Sequence, residues 1–457
     1  MRRPNVIYLN SHDTGRHVSP YGHAVETPAF ARFAEEGVLF RQAFSAAPTC
    51  SPSRAALLTG LPPHEAGMLG LAHRGFALKD YGQHVVTTLK QAGYHAALAG
   101  FQHVERWSEN RIGYDEKLPK TGGGDEGATA AANWLRDRSP DAGPFYLEIG
   151  LTTTHRTSGR DIQWHNGRAS PTGDPRFVRV PAPLPDEPEV RRDYADFAVA
   201  VARLDRFYDE VLTALDEAGH AGNTLVIITT DHGIAFPRMK CSLSDHGTGV
   251  LLAIRGPKGS PFRGGRAIDA LVDHLDVFPT ICDACGIAPP PWLRGRSLTP
   301  LADGTLDATR ADALHDATFS DVTYHAAYEP KRSIRTPRWR YERRFDPEKT
   351  TPVLPNCDPS ISKDLLRSRG WAGRELPRES LFDLTFDPTE ACNVVHDPAN
   401  VEVLNDLRNR LVQWMRETGD PLLFGPVPVP PGASVNCRDG LHPTEDPIEF
   451  PDGGAAP

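Results

Sequence analysis

No stretch of this sequence is long and apolar enough to cross a membrane; its hydrophobic runs stop well short of the roughly 20 residues a spanning helix needs. Cysteine is scarce and odd in number, with seven at positions 50, 241, 282, 285, 357, 392 and 437. That scatter excludes the disulfide framework of a small secreted domain. Positive charge is not in excess. The 50 Lys and Arg face 59 Asp and Glu, giving a net charge of −9, which argues against a protein whose main task is gripping nucleic acid. The composition is not that of a disordered chain either, since 39% of residues are hydrophobic and 24% charged. The first apolar run, Val6-Ile7-Tyr8-Leu9, is too short for a signal-peptide core. A cytoplasmic location is therefore expected.

What the sequence has in quantity is punctuation, with 40 Gly and 42 Pro among 457 residues, so many loops should join well-defined elements. Short apolar runs alternate with helical patterns, the sign of an α/β protein with a largely parallel sheet. Four runs stand out. Val6 to Leu9 leads into Ser11-His12-Asp13, and His95 to Gly100 into Phe101-Gln102-His103. Phe145 to Leu151 leads into Thr154-His155-Arg156, and Thr224 to Thr230 into Asp231-His232-Gly233. Ligands bind at the carboxyl ends of strands in open α/β sheets. One His at a strand end is usually structural; four strand ends that each carry ionisable groups point to a site.

Helical patterns fill the gaps. Thr27-Pro28 begins one with Thr as the expected cap, and residues 193–218 carry apolar side chains at helical spacing. Residues 156–189 are rich in Pro, Gly and Arg and read as a long loop beside the site. The most informative segment is Cys50-Ser51-Pro52-Ser53-Arg54-Ala55-Ala56-Leu57-Leu58-Thr59-Gly60. Ser51 is the expected cap, Pro52 suits the first helical position and Gly60 ends the helix. Cys50 then stands at a helix N-terminus, where N–H groups favour negative charge, and Arg54 adds a fixed cation one turn in.

Cys-Ser-Pro-Ser-Arg resembles the Cys-x-Pro-Ser-Arg signature of the type I sulfatases, members of the alkaline phosphatase superfamily in which the cysteine is oxidised to formylglycine. The setting is similar over nearly the whole chain: Asp13, the Ala-Leu-Leu-Thr-Gly helix, Gly93-Tyr94, Asp231-His232-Gly233, Leu381-Phe382-Asp383-Leu384 and Asp387-Pro388-Thr389-Glu390 follow in family order. Gly67-Met68-Leu69-Gly70-Leu71 and Gly233-Ile234-Ala235-Phe236-Pro237 look most like the sulfamidase (heparan N-sulfatase-like) branch.

The resemblance implies an alkaline phosphatase-like α/β fold. It places a sulfatase catalytic domain over 1–312 and a C-terminal subdomain over 313–457 with a small antiparallel sheet, a helix and an extended tail on the surface. It implies a divalent metal, usually Ca²⁺ with Mg²⁺ or Mn²⁺ as alternatives, held by His12, Asp13, Asp231, His232 and the modified Cys50. Arg54 and Lys240 would meet the charge that develops on the sulfuryl oxygens. His103 would take the proton of the second hydroxyl once the first carries the sulfate, which expels sulfate and restores the aldehyde, and His155 would protonate the leaving group. The expected substrate is a small-molecule or saccharide sulfate ester or sulfamate, and the expected partner is a formylglycine-generating enzyme acting on Cys50. The oligomeric state is open, a homodimer included.

Two positions depart from the pattern. The family usually has Asp where this chain has His12, so either His12 is a ligand and the metal preference shifts, or Asp13 carries that side. The family commonly has a sulfate-binding Lys where this chain has Phe101. These departures keep open a phosphodiester or phosphonate monoester hydrolase on the same scaffold, and a catalytically silent binding protein. Cys282-Asp283-Ala284-Cys285 has metal-ligand spacing in an apolar helical context and reads as core. Residues 331–344 hold seven Lys or Arg against one Glu and read as a hairpin face rather than a nucleic-acid strip.

Overall fold

The structure, a computed structural model, describes residues 3–119, 124–139, 141–156, 164 and 173–457. Its strands begin with β1 (Asn5–Ser11), β2 (Val38–Phe44), β3 (His95–Gly100) and the short β4 (Glu116–Lys117). β5 (Phe145–Gly150), β6 (Thr224–Thr230), β7 (Leu252–Arg255) and β8 (Arg266–Asp273) follow. These eight form one sheet in the order β4-β3-β5-β1-β6-β7-β2-β8. Its pairings are parallel except those that β7 makes with β6 and β2. The four apolar runs of the sequence are the adjacent strands β3, β5, β1 and β6, so their carboxyl ends lie side by side.

Strand β1 is buried along its whole length, as expected for a strand covered on both faces. Its side chains alternate between two cores: Val6 and Tyr8 join one, with Leu57, Leu58 and Phe278, while Ile7 and Leu9 join the other, with Phe30, Phe33, Phe197 and Leu204. On the second face, α1 (Pro28–Glu36) packs against the helix Pro188–Glu217. Thr27 does not cap α1. Asp205 of the neighbouring helix accepts the Ala29 and Phe30 N–H groups at 2.8 Å each, so a tertiary carboxylate satisfies the free donors. The long helix also starts earlier than its apolar pattern, at Pro188, a residue suited to the first turn.

The C-terminal part holds an antiparallel sheet of β9 (Thr318–Tyr324), β10 (Tyr328–Arg335), β11 (Trp339–Arg344) and β12 (Glu379–Asp383), in the order β12-β11-β10-β9. The predicted hairpin is β10 and β11. Six of its seven cations are in ion pairs: Lys331 and Arg344 with Glu329, Arg332 with Asp420, Arg335 with Asp245, Arg338 with Asp383, and Arg340 with Glu342 and Glu390. The helix Val401–Glu417 buries Leu404, Leu407, Leu411 and Met415 in the same core as Val6 and Tyr8.

The tail does not simply lie on the surface. Val427, Val429, Ala433 and Val435 are buried, and β13 (Ala433–Val435) pairs with β14 (Ile448–Phe450). Alternating apolar residues gave it an inward face. Cys282 and Cys285 are buried in the core, and all seven cysteines are free. No described helix is long and apolar enough to cross a membrane. Of the predicted loop over 156–189, residues 157–163 and 165–172 lie outside the described residues.

Candidate active site

The chain turns sharply where β3 and β5 end. A side chain on Gly100 would meet the Gly150 carbonyl oxygen at 2.3 Å, and one on Gly150 would meet the Phe101 carbonyl oxygen at 1.6 Å. Only glycine allows this approach, and it sends Phe101-Gln102-His103 and Leu151 to Arg156 over the end of the sheet. Asp13 (φ 54°), His103 (φ 63°), Arg238 (φ 66°) and Cys241 (φ 63°) adopt the left-handed backbone region. Four of the five such non-glycine residues described thus border one place, the pattern expected where backbone strain aims functional side chains.

Helix α2 (Cys50–Thr59) approaches from the next strand crossover, and all ten of its residues are buried. The cap differs from expectation. Thr49 flanks the helix, Cys50 is its first residue, and the Ser51 hydroxyl instead accepts the Ala72 N–H at 3.0 Å. Gly60 closes the helix at φ 70°. Arg54 reaches across the strand ends, donating from Nη1 to Asn10 Oδ1 and from Nη2 to the Ser11 carbonyl and Asp231 Oδ2, both at 3.1 Å.

Five side chains converge here. His12, Asp13, Cys50, Asp231 and His232 each offer one ligand atom within 4.8 Å of the others, and all are buried. His12 Nδ1 lies 3.1 Å from both Asp13 Oδ1 and Asp231 Oδ2. His232 Nε2 lies 3.2 Å from Asp13 Oδ1 and 3.4 Å from Cys50 Sγ. The His232 Nδ1–H donates to the Gly233 carbonyl at 2.9 Å, which leaves Nε2 with a lone pair toward the cluster. Burial works against the Asp13 carboxylate, yet the charges of Lys240, His155 and His232 hold its pKa far below the ordinary range. Asp231 is depressed likewise, against burial, by His12, His232 and Arg54. Burial pushes the Cys50 thiol up and the His12 imidazole down.

Lys240 is no solvated surface lysine. Its buried Nζ donates to Asp13 Oδ2 at 3.1 Å and to Asp358 Oδ2 at 2.9 Å. Burial opposes its charge, but Asp13 and Asp358 together hold its pKa well above the usual value. The His155 ring stands edge-on to His12, centroids 4.4 Å apart, with its Nε2 3.9 Å from Asp13 Oδ2. His103 lies 6.0 Å from His12, ring to ring, and its Nε2 is 2.8 Å from His73 Nδ1. Phe101 fills the space between, 5.7 Å from His12 and 4.8 Å from His103.

All nine side chains singled out from the sequence therefore meet at one place. Three more come with them. Asp358 anchors Lys240, His73 faces His103, and buried His325 lies within electrostatic reach of Lys240, Asp358 and His232. Asp358 and His325 carry no local signal and arrive from the C-terminal part of the chain. His73 lies two residues beyond the Gly67–Leu71 segment, a usable hint.

The donors suit a divalent cation. Among the described residues, Asp13, Asp231 and Asp358 form ion pairs with Arg54 and Lys240 as fixed cations, so this set of pairs carries one surplus negative charge, which a divalent ion reverses. The surroundings also suit an oxyanion. Among the described residues, Arg54 Nε is buried without a hydrogen-bond partner, a cost of about 1–3 kcal/mol that a bound acceptor would relieve, and His103 Nδ1 and His325 Nδ1 are buried there without one as well.

Comparison with known proteins agrees with this picture. The sulfatase family model matches residues 4–287. The human protein N-sulphoglucosamine sulphohydrolase is 30% identical over 471 aligned residues, 93% of this chain and 92% of that protein. A chain solved in complex with its substrate D-glucosamine-2-N,6-O-disulfate superimposes with a TM-score of 0.68 at 18% identity, covering 92% of this chain and 99% of that one. The phosphonate monoester hydrolase of Agrobacterium radiobacter gives a TM-score of 0.66 at 19% identity, over 91% and 96%. At such identities the structural likeness speaks for the alkaline phosphatase-like fold alone. The family match across more than half of the residues, and the full-length relative, go further: the chain belongs to the sulfatase family.

Proposed function

We propose that this chain is a formylglycine-dependent sulfatase that hydrolyses a sulfate ester or sulfamate carried on a saccharide. The observation that carries the reading is the place of Cys50. It is the first residue of a buried helix, its sulfur lies 3.4 Å from His232 Nε2 within the five-donor cluster, and Arg54 stands one turn behind it. Cys50 is only 2% exposed, so a modifying enzyme must act before α2 is packed. The saccharide class is supported by the human relative and by the sugar disulfate bound in the solved neighbour.

A divalent ion at His12, Asp13, Asp231 and His232, with an oxygen in place of the Cys50 sulfur, would supply Lewis-acid stabilisation to an oxyanion and to the nucleophile. The chain's own residues do the rest. Arg54, pinned by Asn10 and Asp231, presents a fixed positive charge whose Nε has no partner among the described residues. Lys240 adds a second cation from the opposite wall, held by Asp13 and Asp358. Burial keeps His103 well below the ordinary histidine pKa, so it is neutral and, 6.0 Å from His12 ring to ring, able to accept a proton in the site. His155, with 30% of its side chain exposed, stands where a leaving group reaches solvent and can deliver a proton to it.

A second reading has one observation in its favour. Phe101 leaves the anion site one lysine short of the family pattern, and a phosphonate monoester hydrolase shares the fold. Turnover decides between them: sulfate released from aryl sulfates, sugar O-sulfates and glucosamine N-sulfate supports the sulfatase. Phosphate-ester or phosphonate hydrolysis without sulfate release would overturn it.

A further inference from the structure

The donor chemistry of the cluster differs from that of an ordinary calcium site. Ca²⁺ takes six to eight oxygen ligands, often with bidentate carboxylates. Here each carboxylate has at most one oxygen to give, and the one Asp231 offers, Oδ2, is shared with Arg54 Nη2 at 3.1 Å. Asp13 Oδ2 is taken by Lys240. Asp231 Oδ1 accepts the Asp13 and His232 N–H groups at 2.8 and 2.9 Å. The side-chain amide oxygen of Asn10, Oδ1, is taken by Arg54. What faces inward is two oxygens and two imidazole nitrogens, plus the Cys50 position.

These four atoms alternate around a ring: His12 Nδ1, Asp13 Oδ1, His232 Nε2, Asp231 Oδ2. The successive edges are 3.1, 3.2, 3.8 and 3.1 Å. Bonds of 2.0–2.2 Å give edges of about 3.0 Å at right angles and about 3.4 Å in a tetrahedron, whereas the longer calcium bonds give roughly 3.3–3.7 Å at right angles. Imidazole nitrogens favour first-row transition ions over hard alkaline-earth ions.

We propose that this site selects a first-row divalent ion, Mn²⁺ or Zn²⁺, over Ca²⁺, and that His12 sets the selection. The inference rests on the sulfatase reading only in assigning a resident ion to this cluster. The two Asp and two His are present whether position 50 is a thiol or an aldehyde, so both forms of the protein show the preference. His12 acts as a direct ligand and Asp13 as a single-oxygen one, because Lys240 occupies its other oxygen.

The test is competition dialysis of metal-stripped protein against equal Ca²⁺, Mn²⁺ and Zn²⁺, read by elemental mass spectrometry. Mn²⁺ or Zn²⁺ should be retained at least about tenfold over Ca²⁺, and His12→Asp should move that ratio toward Ca²⁺ by about tenfold or more. Pulsed electron paramagnetic resonance of the Mn²⁺-loaded wild type should show two imidazole nitrogens, a readout that does not require the variant to fold. Preferential uptake of Ca²⁺ by the wild type, or coupling to one imidazole only, would overturn the proposal. A protein that releases sulfate while holding Ca²⁺ would sink this inference and leave the sulfatase reading intact. One that retains Mn²⁺ or Zn²⁺ without releasing sulfate would do the reverse.

Discussion

Lys240→Met removes one charge and little volume from the middle of the site. In the wild type the ammonium lies 3.1 Å from Asp13 Oδ2 and 2.9 Å from Asp358 Oδ2. The variant leaves two carboxylates facing an apolar stem. Breaking a buried pair from one side costs about 3–5 kcal/mol. The Asp358 side chain keeps 14% exposure to water, which places the expected loss at the lower end, about 3 kcal/mol. The chemical step loses a fixed cation aimed at developing negative charge, worth about 3 kcal/mol or a fall in kcat of roughly a hundredfold. Urea unfolding and steady-state sulfate release on one preparation measure both. Adding Asp358→Asn removes one stranded carboxylate, so the double variant should regain most of the stability and none of the rate. A single variant within threefold of wild-type kcat would refute the argument, as would a double variant that recovers both quantities.

Glu148 is buried in the middle of the sheet, where burial lifts its pKa to about 7 although Tyr114 and Tyr146 donate to it. The folded state therefore holds this proton more tightly than the unfolded chain, and stability from this group falls as pH rises from 4.5 to 7. Glu148→Gln should remove that fall, so variant minus wild-type stability grows by about 2 kcal/mol between pH 5 and 8; a pH-independent difference would contradict the burial argument. Asp420→Ala removes the two-point partner that holds buried Arg332 at 2.6 and 3.0 Å and leaves it the charge of Asp321. Chemical denaturation should show a loss of about 3–5 kcal/mol with kcat retained, and a loss below about 1 kcal/mol would mean the buried pair is not what holds those elements. Phe101→Lys should raise kcat/KM on simple sulfates if the missing cation limits them; no gain would mean that Lys240 and Arg54 already suffice.

The parts of the site that lie next to strand ends were legible in the sequence because a parallel sheet aligns its carboxyl ends. A run such as Thr224 to Thr230 both makes the strand and fixes where Asp231 and His232 emerge. Cys50 was legible because it opens the Cys-Ser-Pro-Ser-Arg segment, whose helix Gly60 closes as expected. Asp358 was not, since it sits in a loop that only the packing of the C-terminal part brings to Lys240. The caps also misled. Ser51 and Thr27 have the right side chains for capping, but tertiary partners, the Ala72 N–H for one and the Asp205 carboxylate for the other, decide those bonds. The tail was read from its Pro and Gly content, which hid the alternating valines that bury it.

The central claim is that the nucleophile is Cys50 after conversion to an aldehyde. Protein made with graded amounts of a formylglycine-generating enzyme provides the test, with the Cys50 peptide weighed by mass spectrometry and sulfate release measured on the same samples. Conversion exchanges sulfur for oxygen with loss of two hydrogens. The account predicts a rate proportional to the converted fraction, vanishing with the unmodified thiol and in Cys50→Ala. Sulfate release independent of that fraction would contradict it.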